Sequence, residues 1–260
     1  MQILKNLYYL TRLIFLNGFY NKHSFKHENE EKIIFDNLKV GPAYEAKGDN
    51  SLNLLNNAFF TDGLYLNIKK SFQLNKPLVI YNVFDRTKIT NFFNQKLIID
   101  IEENAKIDIF IYTINISKSP IFFNTYNNFF IGRNGLLKLY YFNNLEKKDL
   151  NYNCNDVKIK NNGILENFTF SNSADYFKNE INCSLNEQYS SAFVNGVLLN
   201  TDNQNHEIKT KIKHLSENTK SYQKIKAVVD KNSKAIFQGK IFVDPKAQKT
   251  MVTSSAKLFY

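Results

Sequence analysis

Apolar and polar residues alternate with a period of two along most of the chain, which is the signature of half-buried strands. The clearest stretch is residues 227–250, AVVDKNSKAIFQGKIFVDPKAQKT. An apolar run, Ala227, Val228 and Val229, meets the polar turn Asp230-Lys231-Asn232-Ser233, and a second strand follows from Lys234 to Val243. In that strand Ala235, Phe237, Gly239, Ile241 and Val243 share one face, while Gln238 and Lys240 point the other way. Asp244-Pro245 then ends the ladder, because proline has no N–H to donate. A glycine on the apolar face, Gly239, predicts a close approach by another backbone.

Residues 1–11 read as a short helix or a loose lead-in. RLIFLNGFYNKHS reads as strand, turn and strand, with Asn17-Gly18 a strong short turn signal. Residues 23–50 are mixed and polar, a connector with at most a helical turn near the charged run 27–32. A short amphipathic helix is expected over 52–60, stopped by Thr61-Asp62-Gly63. Strands follow over 64–68 and, opened by Pro77, over 78–84. Further strands are predicted at 97–101, 107–116, 121–124, 129–131, 136–142, 156–160, 165–170, 177–183, 192–199 and 207–214. Turns fall at Asn104, 132–135, 161–163 and 200–205. Short strands at this spacing fit an all-β sandwich, barrel or solenoid. Uneven turns without repeated two-residue hairpins favour the solenoid, whose coils bury their inner faces on one another. Phe110, Tyr112, Phe129, Tyr141, Phe168 and Phe170 are expected to stack along its inside as core.

With 260 residues, 43% of them hydrophobic, the chain can form one sizeable core. Asn, Lys, Ile, Phe and Tyr dominate, the residues of AT-rich codons, as in a compositionally drifted genome. That discounts the net charge of +10 as a sign of nucleic acid or membrane binding. The lysine excess reads as spread along the chain. Its longest concentration, Lys209, Lys211 and Lys213 with Lys220, Lys224 and Lys226, reads as the solvent face of strands whose other side holds Ile208 and Ile212. The apolar start is broken by Lys5 and Arg12, and its longest uncharged run, 13–20, is far short of the roughly 20 residues of a spanning helix. A soluble chain in the cytoplasm or an organelle stroma is expected, with no membrane or nucleic-acid partner.

Candidate chemistry is sparse. Cys154 and Cys183 make no disulfide framework and suggest a reducing compartment. With His206 and His214 they lack metal-ligand spacing. The two histidines on one strand would share a face but stand about 26 Å apart, at roughly 3.3 Å per residue, too far for one ion. Asp100, Glu102 and Glu103 show no partner base for glycoside or lyase chemistry. Asn167-Phe-Thr is a glycosylation sequon that an asparagine-rich chain produces by chance. No catalytic, cofactor-binding or metal residue is singled out.

The order apolar strand, acidic turn, F-x-G-K-I-x-V and A-Q-K-T resembles the SufB/SufD family of the SUF iron–sulfur cluster assembly machinery. The match falls on Phe237, Gly239, Lys240, Ile241, Val243, Ala247, Gln248, Lys249 and Thr250. The strand with Asn17-Gly18 is a second point of resemblance. A third is Asn57-Ala58-Phe59, Asp62-Gly63 and Lys76-Pro77. The resemblance covers most of 12–250 and is nearest SufD. It implies a right-handed parallel β-helix, here residues 51–260 after a lead-in and connector at 1–50. After Thr250 the text MVTSSAKLFY departs from the family pattern of a C-S-H-G motif and a helical C-terminal domain. The family's cluster-associated histidine and its main dock for the ATPase SufC are therefore expected to be absent.

The resemblance further implies a non-catalytic scaffold subunit, SufD-like, pairing with a SufB-like subunit and working with a SufC-like ATPase. No cofactor is expected on this chain beyond an iron–sulfur cluster held transiently in the complex. The expected interface is the last part of the core, Phe237, Gly239, Lys240, Phe242 and Val243. Two other classes stand beside this reading: a basic β-rich nucleic-acid-binding protein and a carbohydrate-active β-helix enzyme.

Overall fold

The computed structural model describes residues 11–25, 28–38, 50–60, 62–85, 91–117 and 119–259. The chain begins with β1 (Thr11–Leu16) and β2 (Phe19–Ser24), an antiparallel hairpin. Its turn residues Asn17 and Gly18 both have positive φ, 52° and 78°, which asparagine and glycine tolerate best. The connector is more ordered than its composition suggests. A 3-10 turn, Glu30–Lys32, leads into β3 (Ile33–Asn37). The segment before Thr11 lies outside the described residues.

The predicted helix is α1 (Ser51–Phe59). Gly63 does not stop it, because Phe60 caps the helix in extended conformation and Gly63 sits inside β4 (Asp62–Ile68). A Cβ there would stand 2.8 Å from the Lys96 carbonyl, so a close backbone approach, not a helix cap, requires this glycine.

From β4 the chain winds as a coil. The strands are β5 (Leu78–Phe84), β6 (Phe92–Ile101), β7 (Lys106–Asn115), β8 (Phe122–Ile131), β9 (Leu136–Asn144) and β10 (Leu150–Ile159). They continue as β11 (Ile164–Ser171), β12 (Tyr176–Leu185), β13 (Ser191–Asn200), β14 (Asn205–His214), β15 (Lys220–Val229), β16 (Lys234–Val243) and β17 (Met251–Phe259). Successive strands fall in opposite sheets. One sheet runs β17-β15-β13-β11-β9-β7-β5-β1-β2 and the other β16-β14-β12-β10-β8-β6-β4-β3. Every pairing from β4 onward is parallel, and β2 and β3 add antiparallel edges at the other end. The result is a right-handed parallel β-helix of about seven turns. Strands predicted separately at 121–124 and 129–131 are one strand, β8. The text after Thr250 is a strand as well, β17, in register with β15.

The turns are corners. At one of them Asn104, Asn134, Asn162, Tyr189, Asn218 and Lys249 occupy the left-handed region at φ of 53–61°. Each of the first five donates its N–H to a carbonyl of the following coil, as from Asn104 to Arg133 and from Asn134 to Asn161, at 2.8 and 2.9 Å. Asparagine recurs there because its side chain tolerates this conformation.

The lumen is apolar on both flanks and polar between them. Ile101, Ile131, Ile159 and Leu185 stack in one column, with Ile107, Leu137, Leu165 and Ala192 opposite, all at most 1% exposed. Phe84, Phe93, Ile121 and Phe123 fill the other flank. Between them runs a belt of amides. Asn127 donates to Asn155 at 3.0 Å, Asn155 to Asn179 at 2.8 Å, and Asn179 to Thr169 at 2.8 Å. The Tyr141 hydroxyl donates to Asn155 at 2.6 Å. In a parallel stack an inward residue meets the inward residue one coil away, so an amide there finds another amide.

Period-two alternation divides the predicted aromatic stack. Phe129 and Tyr141 are inside, but Phe110, Tyr112, Phe168 and Phe170 alternate with buried Ile109, Ile111, Asn167 and Thr169 and point outward. Phe110, Phe168 and Phe170 join Tyr140 and Phe142 in an outer aromatic ladder, with the Phe110 and Tyr140 rings stacked at 4.5 Å, while Tyr112 packs edge-on against Tyr81. Gly239 departs from expectation too. The space beside it is taken by the Phe237 ring of its own strand, at 3.1 Å from a built Cβ, and not by another backbone.

The amide belt makes a stability prediction. Replacing Asn155 by Leu strands the donors and acceptors of Asn127, Tyr141 and Asn179, each costing about 1–3 kcal/mol when buried. Urea unfolding of Asn155→Leu should show a midpoint lowered by the equivalent of about 2 kcal/mol or more. An unchanged midpoint would mean the belt adds nothing to stability.

Candidate functional site

The side chains that the sequence marks as candidates for chemistry are dispersed and occupied. Cys154 points to the outer face of the eight-stranded sheet, beneath α1, while Cys183 lies on the inner face one strand away. Burial, followed by the Asp156 charge, pushes the Cys154 thiol up to about 12, and burial alone does the same for Cys183. Neither is a thiolate at neutral pH. His206 and His214 do share one strand and one face, both turned inward and fully buried. His206 lies 3.2 Å from both the Ser171 hydroxyl and the Ala174 carbonyl. His214 sits between the Thr219 and Ser221 hydroxyls at 2.7 and 2.9 Å. Among the described residues, no three His, Cys, Asp or Glu side chains are arranged to hold a metal ion. These four residues do not fit an iron–sulfur cluster.

The acidic group is paired after all. Glu102 binds Lys69 at 3.0 Å and Glu103 binds Lys70 at 2.8 Å, with Arg133 also on Glu103. Salt bridges and hydrogen bonds from these groups hold both carboxyls below the usual range, whereas desolvation raises Asp100. Asn167 of the sequon is an inward residue, 2% exposed.

The helix α1 lies on the outer face of the eight-stranded sheet with its polarity inverted. Its buried residues are Asn53 and Asn56, while Leu54 and Phe59 face solvent. Asn56 donates to the Gln95 and Asn124 carbonyls at 3.0 Å, and Asn53 to the Cys154 sulfur at 3.2 Å. Lys96 donates to Asn57 at 2.7 Å. The helix is held by asparagines, with Leu52 packing beside them on Tyr126, Tyr152 and Cys154, while Leu54 and Phe59 face outward. Nothing in an apolar-periodicity reading distinguishes the two faces.

Both sheets also end, among the described residues, in open edges at the last coil. Among the described residues β16 bonds only to β14, and β17 only to β15. The inward residues Ala235 and Phe237 pack on Leu198, Ile208, Ile225 and Ala227. Ala256 and Leu258 close with them an apolar cleft of about 240 Å³. Phe242, Val243, Val252, Leu258 and Phe259 are 41–47% exposed. Such a rim is an open sheet edge with an apolar floor.

A protein-family model described as SUF system FeS cluster assembly, SufBD core domain, matches residues 84–258. The chain belongs to the SufBD core family. The matched span begins at the end of β5 and runs to β17, so the SufBD core takes in the amide belt and the last coil. Membership makes this a protein of SUF iron–sulfur cluster assembly, from a family of assembly scaffolds that work with partner subunits. No curated protein sequence matches the chain. No helix among the described residues is long and apolar enough to cross a membrane.

Two outcomes follow for the buried groups of this SufBD core. Both thiols should react with a disulfide reagent about a thousandfold more slowly in the native protein at pH 8 than after unfolding, since a pKa of about 12 leaves so little thiolate. Fast native labelling of either would overturn the assignment. Burial lowers the His206 and His214 pKa values, so the unfolded chain takes up protons first as pH falls below roughly 6.5. Stability is therefore full above that pH and is lost below it, with a slope of up to about 1.4 kcal/mol per pH unit per histidine. Urea midpoints at about pH 7.5 and 5.5 test this, and His206→Gln should flatten the difference.

Proposed function

We propose that this chain is a SufD-like, non-catalytic scaffold subunit that pairs with a SufB-like subunit and works with a SufC-like ATPase. ATP hydrolysis by that ATPase reshapes the pair and exposes a cluster-building site at the interface. This chain contributes surface and geometry, and the iron–sulfur cluster is cargo it meets only within the complex. The observation that carries the reading is the last coil: two parallel sheets ending in unpaired edges over an apolar floor. A partner of the same architecture satisfies both edges by adding strands. Phe237, Gly239, Lys240, Phe242 and Val243 on β16 form our candidate interface, with Phe242 its exposed apolar anchor.

An enzymatic reading finds less support. The groove holding Asp100, Glu102 and Glu103 has both glutamates ion-paired, so it offers no pair of free carboxyls for glycoside chemistry.

The test is co-purification of the chain with its SufB-like and SufC-like partners, followed by iron and sulfide analysis. A stable complex is expected. Phe242→Glu should weaken pairing about a hundredfold, near 2.7 kcal/mol, with an unchanged circular dichroism spectrum. Undiminished pairing would remove β16 as the interface. Failure of the unaltered chain to pair would remove the scaffold reading.

A further inference from the structure

The net charge that reads as dispersed along the sequence is concentrated in the fold. Residues 205–260 hold twelve lysines and four acidic residues, while the preceding chain is nearly balanced. Four of these lysines line a groove of about 640 Å³ on the outer face of the eight-stranded sheet, between the start of α1 and strands β14 and β16. Lys209, Lys211 and Lys213 occupy successive outward positions of β14, with Ile208, Thr210 and Ile212 buried on the other side. Lys240 stands in register beside Lys211 on the neighbouring strand. Strand geometry spaces the β14 stems about 6.7 Å apart, and Lys211 and Lys240 about 4.8 Å apart.

Lys209 is neutralised by Glu180 at 3.3 Å. Lys211, Lys213 and Lys240 make no ion pair among the described residues. Like charges side by side on a sheet are destabilising, and among the described residues no ion pair offsets these three. An anionic partner would. Its class follows from the lining. A single exposed ring, Phe242, stands beside Lys213 at the edge of the groove and none lines its floor, so successive nucleic-acid bases have no stacking platform. No arginine lines it, so there is no planar fork for phosphate. Asp156 and Glu180 sit at its inner end, where a continuous phosphate chain meets repulsion. An extended polypeptide instead repeats its side chains every second residue at the same spacing of about 6.7 Å as the lysines.

We propose that this groove binds an acidic, extended segment of a partner protein, with carboxylates at alternate positions over Lys211 and Lys213 and beside Lys240. This goes beyond the end-on pairing proposed above and is tested apart from it, since it rests on Lys211 and Lys213 of β14 and shares only Lys240 with the candidate interface on β16.

The experiment titrates the full chain into a fluorescein-labelled peptide of alternating glutamate and serine, and separately into labelled oligouridylate, at about 50 and 150 mM salt, where screening of exposed charges differs. Lys211→Glu/Lys213→Glu leaves β16 untouched, so its effect is separable from loss of partner pairing. Lys224→Glu/Lys226→Glu, exposed on β15 in the other sheet, is the charge-matched control. Peptide affinity should fall about tenfold or more in the first variant and stay within about twofold in the second. If charge reversal prevents folding, Lys211→Gln/Lys213→Gln should still cost about threefold. Equal losses in both double variants would mean net charge alone attracts the probe. Absence of peptide binding at the lower salt, or tighter binding of oligouridylate lost in the same variant, would also overturn the proposal.

Discussion

Hydrogen bonding between successive coils in parallel register is the constraint on which this structure depends. From β6 to β15 each strand draws its backbone partners from the coils before and after it, with no hairpin to supply them locally. A residue's neighbour in space is therefore the residue one coil away, 26 to 33 positions on. Like then stacks on like: isoleucine on isoleucine at the aliphatic flank, amide on amide in the belt, ring on ring outside. The same rule leaves any terminal coil with edges that nothing in the coil itself can satisfy, which is why the last coil is exposed while the middle of the solenoid is not.

That rule also explains how a composition dominated by asparagine remains compatible with a packed interior. A lone buried amide costs more than a hydrogen bond returns. A column of amides offsets much of that cost, each donating to the next as Asn127 and Asn155 do, although Asn127 Oδ1 is left without a partner. At the corners the same residue type serves another purpose, since asparagine accepts positive φ where β-branched residues do not. In α1 it serves a third, tying a helix to a sheet through side-chain bonds to backbone carbonyls.

Strand existence was legible wherever one face was aliphatic and the other charged. Leu78–Phe84 and Lys234–Val243 end where the sequence pattern ends, because Pro77 and Asp244-Pro245 punctuate them chemically. Legibility failed where the inner face is polar. Thr125 and Asn127 on the inside of β8 broke its apolar pattern and made one strand look like two. The aromatics misled for the related reason that ring size suggests burial, whereas period-two parity, visible in Ile109 and Ile111, already placed Phe110 and Tyr112 outside. The acidic residues looked unpartnered because their lysines and arginine lie one coil away, a separation that no local window spans. The lysine groove was half legible: alternation gave its outward direction, but only stacking brings Lys240 beside Lys211. The last coil was recognised from F-x-G-K-I-x-V, yet β17 was not, since its run of threonine and serine carries little alternation.

Chemistry and architecture point the same way. Among the described residues both thiols are protonated by burial and the two core histidines are held by hydroxyls or a carbonyl, while His23 stands exposed on β2. A group that must stay desolvated to keep the core together cannot also exchange ligands or protons with a substrate. What remains free to act is the exterior, and there the coil geometry offers two kinds of handle. Strand edges at the last coil recognise backbone, indifferent to sequence but demanding in shape. A comb of lysines on a side face recognises charge at a fixed spacing and is sensitive to salt. A rigid solenoid that carries both can hold partners at a set distance and angle from one another, which is the mechanical task of a scaffold, and it can do so without any residue of its own entering the chemistry.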